Sequence, residues 1–275
     1  MVRPDVHTEV AEWFRGAKRV MFVHAHPDDE TIATGGTLAA LAAAGCEPLV
    51  VTLTRGERGE VVDGPLAHLA GTESLAPHRQ AELSAALAML GVERHAFLGV
   101  APARAEGLPP TIYEDSGMEW QADGVAGPGP DATTDALTVV PAVESLNDLL
   151  AAAHEAGAGA IVSYNTEGGY GHPDHVHAHR IARAVAHALE LPFWEIVEGG
   201  AASAASGGAG GAGGAGGASV RSVEEHDVRP WLDRKVVALR AYATQLTVDG
   251  DEIVHVGGQR EAISQVEAFR CIDAR

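Results

Sequence analysis

Two short polar segments hold residue types that could do hydrolytic chemistry. His24-Ala25-His26-Pro27-Asp28-Asp29-Glu30 follows directly on the apolar run Val20-Met21-Phe22-Val23, and Gly171-His172-Pro173-Asp174-His175 stands far downstream. The first places an imidazole and two adjacent carboxylates where a strand ends and a helix begins. A divalent metal needs such ligands, and a hydrolytic metal centre also needs a carboxylate left over as a base. If the helix starts near Asp28, then Asp29 lies in its first turn and His26 just before it, so both can face one point above the strand end. His175 is the candidate third ligand. Three nitrogen or oxygen ligands with an open position describe a catalytic zinc site better than a closed, cysteine-rich structural one. The same donors also suit iron(II). Asp28, beside a ligand but aimed elsewhere, is the candidate general base. Glu30 belongs to the first helical turn or orients His26. His172 remains for stabilising an oxyanion or giving a proton to a leaving amine, with Asp174 placed to hold it in one tautomer or raise its pKa.

The elements that must position these residues follow from hydrophobic pattern. Apolar runs predict strands at 20–23, 48–53, 95–98, 160–164 and 193–197. Amphipathic stretches predict helices at 30–44, 75–90, 135–155, 174–190 and 229–244, with Gly45 and Gly91 just past two of them. This alternation implies an α/β fold: a Rossmann-like, mostly parallel sheet with helices on both faces and the site at the carboxyl ends of its strands. Four polar, glycine-containing segments, after the first four strands, should crowd that edge. Residues 1–198 read as the catalytic domain. Residues 199–219, nearly all glycine, alanine and serine, read as a flexible loop whose accidental GxGxxG patterns are no dinucleotide fingerprint. Residues 220–275 read as a smaller α/β portion packing on the same domain, with a hairpin near Asp249-Gly250.

A chain of 275 residues with a formal charge of −19 offers no basic face for nucleic acid or an anionic membrane. No apolar run reaches the roughly 18 residues of a membrane span. Cys46 and Cys271 form no CxxC pair and suit a reducing cytoplasm. The expected partner is a small molecule, and a homo-oligomer is compatible with the sequence. No GxSxG elbow or P-loop is present. A competing reading takes the four histidines within 172–179 as a metal-storing or redox-sensing segment, but it leaves Asp28 beside Asp29 without a purpose.

Ala25-His26-Pro27-Asp28-Asp29-Glu30, followed by Gly35-Gly36-Thr37-Leu38, resembles the signature of the LmbE-like (PIG-L) zinc deacetylases, and Gly168 to His175 resembles that family's second motif. Gly56-Glu57-Arg58-Gly59-Glu60-Val61, Glu114-Asp115-Ser116-Gly117-Met118 and Ala243-Thr244-Gln245 are similar to the mycothiol branch, which contains N-acetylglucosaminyl-inositol deacetylases and mycothiol S-conjugate amidases. The resemblance implies that His26, Asp29 and His175 bind zinc, that Asp28 is the base, and that His172, modulated by Asp174, stabilises the tetrahedral intermediate. It also implies that Tyr170 is a mobile tyrosine near the substrate carbonyl, and that Glu60, Arg79 and Asp115 contact sugar or inositol hydroxyls. The implied reaction is removal of an N-acetyl group from a glucosaminyl compound. Glu57-Arg58-Gly59 leans towards the conjugate amidase, and the Tyr170 and Asp115 segments lean towards the inositol deacetylase.

Overall fold

The computed structural model describes residues 9–120, 126–197 and 223–272. The glycine/alanine loop expected at 199–219 lies outside the described residues. Runs of uninterrupted apolar residues form the middle of the sheet, as strands buried on both faces must. These are β1 (Val20–His24), β2 (Leu49–Thr52) and β6 (Ala160–Ser163), every residue of which is buried. With β3 (Arg94–Phe97) and β7 (Phe193–Val197) they give a parallel order β3-β2-β1-β6-β7. Phe22 pairs with Val50 on one side and Val162 on the other.

Alternation along β1 divides the core in two. Phe22 faces a layer built from α1 (Asp29–Ala43), α2 (Leu75–Leu90) and α5 (Leu232–Leu239), through Leu38, Leu83 and Leu239. Met21 and Val23 face α3 (Ala142–Ala156) and α4 (Pro173–Ala188), through Leu149, Ile181 and Val185. The fold is thus the two-faced α/β arrangement expected from the pattern. Between β3 and α3 lie the short strands β4 (Glu119–Trp120) and β5 (Ala126–Gly127), paired with each other.

The C-terminal portion completes this sheet. β12 (Val266–Ile272) runs antiparallel between β7 and β8 (Val223–Asp227). β9 (Leu246–Asp249), β10 (Glu252–His255) and β11 (Arg260–Ala262) form a separate antiparallel sheet whose first turn holds Gly250 at φ 65°, the hairpin expected there. Two helices are shorter than the pattern suggested. The helix expected at 135–155 begins at Ala142, because Pro141 has no N–H and disfavours helical geometry in the residue before it. Residues 135–137 pair instead with Glu114, whose N–H donates to Asp135 and whose carbonyl accepts from Leu137. The stretch 229–244 is a 3₁₀ turn, Arg229–Trp231, and then α5. It ends early, and further along Thr244 gives both its N–H and its hydroxyl to the buried Glu82 carboxylate, at 2.8 and 2.7 Å.

A buried ion pair fastens the C-terminal portion to α1. Lys235 donates to Glu267 at 2.7 Å, and Glu267 also accepts the N–H groups of Gly36 and Thr37, at 2.9 and 2.7 Å. Such close approach requires a residue without a side chain. A Cβ on Gly36 would meet Val228 Cβ at 2.4 Å, whereas one on Gly35 would meet nothing nearer than Thr31 Cγ2 at 3.3 Å. Gly36→Ala should therefore lose about 1–3 kcal/mol to overpacking, net of a helix-propensity gain of about 1 kcal/mol. Gly35→Ala should be near neutral or mildly stabilising. Equal chemical-denaturation midpoints for the two variants would contradict this account.

Candidate metal centre

Four strand ends bring the polar segments to one edge. β1 stops at His24, and the chain crosses the top of the sheet through Ala25-His26-Pro27. At Asp28 it turns into α1 with φ 120° and ψ −34°, a conformation that L-residues other than glycine rarely adopt. Backbone strain of this kind costs on the order of 1–3 kcal/mol and persists only where the surroundings over-determine it. Here the surroundings do so. The Asp28 N–H donates to Glu30 Oε2 at 3.1 Å, and its carbonyl accepts from Thr31 and Ile32. From the fourth strand, Pro173 at the first position of α4 and His172 at its N-cap set His175 in the first turn of that helix.

The result is a triangle of donor atoms. His26 Nδ1 lies 3.2 Å from Asp29 Oδ2, and His175 Nε2 lies 3.3 Å from that same oxygen and 3.3 Å from His26 Nδ1. Tetrahedral zinc with bonds of about 2.0–2.1 Å requires ligand atoms about 3.3 Å apart. The residues present therefore fit three ligands of a tetrahedral divalent metal. His172 also comes within 4.8 Å of His26 and His175. Its Nδ1 accepts the Asp174 N–H at 3.2 Å, whereas Asp29 Oδ2 lies at ligand spacing from both imidazoles, which makes Asp29 the better third donor.

A carboxylate backs the other edge of His26, as is usual for a metal-binding imidazole. His26 Nε2 lies 3.2 Å from Asp174 Oδ2 and 3.7 Å from Asp115 Oδ1. The Asp174 carboxylate bonds His26 and, at 2.9 Å, the Ser116 N–H, while the Asp174 main-chain N–H donates to His172 Nδ1 and the carboxylate's charge pulls the His172 pKa up against the larger effect of burial. Glu30 likewise does not reach His26; it accepts from Thr31, from the Asp28 N–H and from the buried Tyr242 hydroxyl.

Burial opposes charge on His26, but Asp115, Asp174 and Asp29 overcome it and raise its pKa well above the ordinary value. Burial would raise Asp29, yet His175 and His26 hold its carboxyl well below the usual range. Asp28 moves the other way: burial and the neighbouring Asp29 push it well up, against the pull of Arg79. Burial, His26 and His175 lower His172 to about 3.

The remaining expected residues are spread around this triangle. Asp115 is buried, its N–H held by Glu57 Oε1 at 3.0 Å. Tyr170 is 58% exposed, with its ring 5.2 Å from that of His175 and 6.1 Å from that of His172. Arg79 is buried and gives two donors to the carbonyls of Gly56 and Glu60; its Nε has no partner. The Glu60 side chain is exposed. His24, His177 and His179 are buried and bonded to Thr34, Ser145 and the Tyr164 carbonyl, so the histidine-rich stretch is no exposed metal store.

Three participants were missed in the sequence. Tyr164 bonds Asp29, Glu57 ties the loop of Asp115 to that of Arg55, and Tyr242 bonds Glu30. Signals were available for two of them: Tyr164 closes the predicted strand at 160–164 on the functional edge, and Glu57 lies in the segment 56–61 that resembles the mycothiol branch, though without a role of its own.

The family description PIG-L: GlcNAc-PI de-N-acetylase matches residues 21–186. A 1D-myo-inositol 2-acetamido-2-deoxy-alpha-D-glucopyranoside deacetylase of Kribbella flavida is 37% identical over 265 residues, covering 85% of this chain and 84% of the relative. The protein of that name from a Nocardioides species is 34% identical over 265 residues, covering 85% of each. Among solved structures, the zinc-inhibited form of teicoplanin deacetylase Orf2 has a TM-score of 0.60 at 18% identity, covering 92% of this chain and 97% of that one, a likeness of fold alone. The chain belongs to the PIG-L family.

Removing the Tyr242 hydroxyl should expose the dependence of Glu30 on the C-terminal portion. Tyr242→Phe leaves a buried carboxylate one donor short and should cost about 1–3 kcal/mol in denaturant unfolding. An unchanged unfolding free energy would mean that water replaces the bond without loss.

Proposed function

We propose that this chain is a metal-dependent amide hydrolase that removes the acetyl group from N-acetylglucosaminyl-inositol in mycothiol biosynthesis, with zinc as the metal and the cytoplasm as its location. The observation that carries the chemistry is the donor triangle of His26, Asp29 and His175 with Asp28 directly beside it. The substrate follows the names of relatives 34–37% identical over most of the chain. Iron(II) would satisfy the same donors.

Bound at the triangle, zinc would supply a Lewis acid that polarises the amide carbonyl and acidifies a water. The chain's own groups do the rest. The Asp28 carboxylate takes a proton from the attacking water. Among the described residues only its main chain is hydrogen-bonded, so the side chain is free to act, and its raised pKa makes it the stronger base. His172 Nδ1 is occupied by the Asp174 N–H, so the neutral ring carries its proton on Nε2 and donates to the oxygen that gains charge. The C–N bond breaks, Asp28 returns its proton to the departing amine, and acetate and a glucosaminyl product leave. Asp115, Glu60 and the unpartnered Nε of Arg79 are assigned to sugar and inositol hydroxyls, and the exposed Tyr170 to the substrate carbonyl.

The test is amine release by the purified, zinc-loaded chain, with N-acetylglucosaminyl-inositol and a mycothiol S-conjugate compared in parallel. Preference for the acetylated sugar supports the proposal. Preference for the conjugate assigns the amidase, and turnover of neither, with one metal bound, points to another N-acyl glucosaminyl compound. Asp28→Asn should abolish turnover while one metal per chain is retained; near-normal activity in that variant would remove Asp28 as the base. His172→Ala should lower kcat by about 10²–10³-fold, the usual loss for one oxyanion donor. A change confined to KM would assign His172 to substrate binding instead.

A further inference from the structure

We infer that Tyr164 is the positioning residue of the donor triangle, holding two of its three members in place without touching substrate. This rests on reading His26, Asp29 and His175 as the metal ligands. Tyr164 is the first residue beyond β6 and is 5% exposed. Its hydroxyl makes two bonds of fixed direction. The Ala25 N–H donates to it at 2.8 Å. A main-chain amide can only donate, so the hydroxyl must send its single proton elsewhere. That proton goes to Asp29 Oδ2, at 2.6 Å, the same oxygen that lies 3.2 and 3.3 Å from the two imidazoles.

The ring does separate work. It stacks on His175 with centroids 4.1 Å apart and planes 11° from parallel, which fixes the plane in which Nε2 points. The Tyr164 carbonyl lies 2.9 Å from His179 Nδ1, four residues beyond His175 on the same helix, and so sets α4 against the strand end. One residue thus couples the β1 exit at Ala25, the carboxylate of α1 and the imidazole of α4. Partners of this kind, which orient ligands without binding metal, are commonly worth 10–100-fold in metal affinity.

The experiment separates hydroxyl from ring and site from support. Zinc dissociation constants are measured by chelator competition for the wild type, Tyr164→Phe, Tyr164→Leu, Tyr113→Phe and His175→Ala, with the visible spectrum of each cobalt-substituted protein as a report of ligand geometry. Tyr164→Phe keeps the stack and should weaken zinc by about 10–100-fold with an altered cobalt spectrum. Tyr164→Leu should weaken it further, and Tyr113→Phe, which removes a hydroxyl bonded to Asp148 away from the triangle, should leave both readouts unchanged. Binding by Tyr164→Phe within twofold of wild type, with the same cobalt spectrum, overturns the inference. His175→Ala that binds as tightly as wild type overturns the metal reading itself, and the inference with it. Should the Tyr164 variants fail to fold, the wild type still decides. The chain has four tyrosines, so the Tyr164 resonance can be assigned in the 3-fluorotyrosine-labelled protein by ¹⁹F NMR. It should shift with one equivalent of zinc, and a resonance that does not move overturns the inference.

Discussion

Three electron-rich atoms held 3.2–3.3 Å apart in a partly buried site set the terms for everything around them. Such a cluster is costly to assemble unless each member is compensated. The compensation comes from outside the triangle. Asp29 accepts the His26 N–H at 2.8 Å and the Tyr164 hydroxyl. The far edge of His26 is covered by Asp174, which is itself held by the Ser116 N–H, and the face of His175 is covered by Tyr164. The three donor atoms are therefore held in register by protein contacts alone. A site built this way needs little reorganisation when it is used, the property that makes fixed dipoles effective in catalysis.

Support for that cluster extends to the C-terminal portion of the chain. α1 starts through the strained Asp28, and the strain is held by Glu30, which is in turn bonded by Tyr242 from beyond α5. The same helix is gripped in its middle by Glu267 of β12, with Lys235 balancing the charge. Breaking one partner of such a buried pair strands a charge. The C-terminal portion is thus part of the apparatus that fixes where α1 begins, and with it where Asp28 and Asp29 point. Loops are coupled in the same way. Glu57 accepts from both Arg55 and Asp115, so the segments after the second and third strands are tied to each other.

What was legible in the sequence was short-range. His26, Asp28 and Asp29 lie within four residues, and their spacing against a strand end and a helix start is enough to mark them. The parallel order followed from apolar runs that alternate with helices. What was not legible depends on contacts across long separations. Nothing near Tyr242 announces Glu30, and nothing near Asp174 reveals that its carboxylate also bonds His26. The helix expected from 135 overlooked Pro141, whose local effect outweighed the apolar periodicity. Arg79 shows a different limit: residue type and placement mark it for the site, yet two of its donors brace the loop of Gly56 and Glu60.

The sequence left His172 two roles, oxyanion donor or acid to the leaving amine, and under the proposed function the geometry separates them. An acid must hold a proton at the working pH and release it in the transition state, which asks for a pKa near that pH. Burial and two neighbouring imidazoles lower His172 to about 3. Protonating Nδ1 would also set two donors, that N–H and the Asp174 amide, against each other at 3.2 Å. A divalent cation nearby adds to the penalty, since like charge disfavours the imidazolium. These effects favour, under the proposed function, a neutral ring that donates a hydrogen bond over one that delivers a proton. Under the proposed function the proton delivered to the amine comes from the group that took one up, Asp28, whose pKa burial and Asp29 raise above the ordinary carboxylate value. Two carboxylates adjacent in sequence thus acquire opposite tasks from their surroundings: imidazoles keep Asp29 ionised as a ligand, and its charge in turn helps Asp28 to accept a proton.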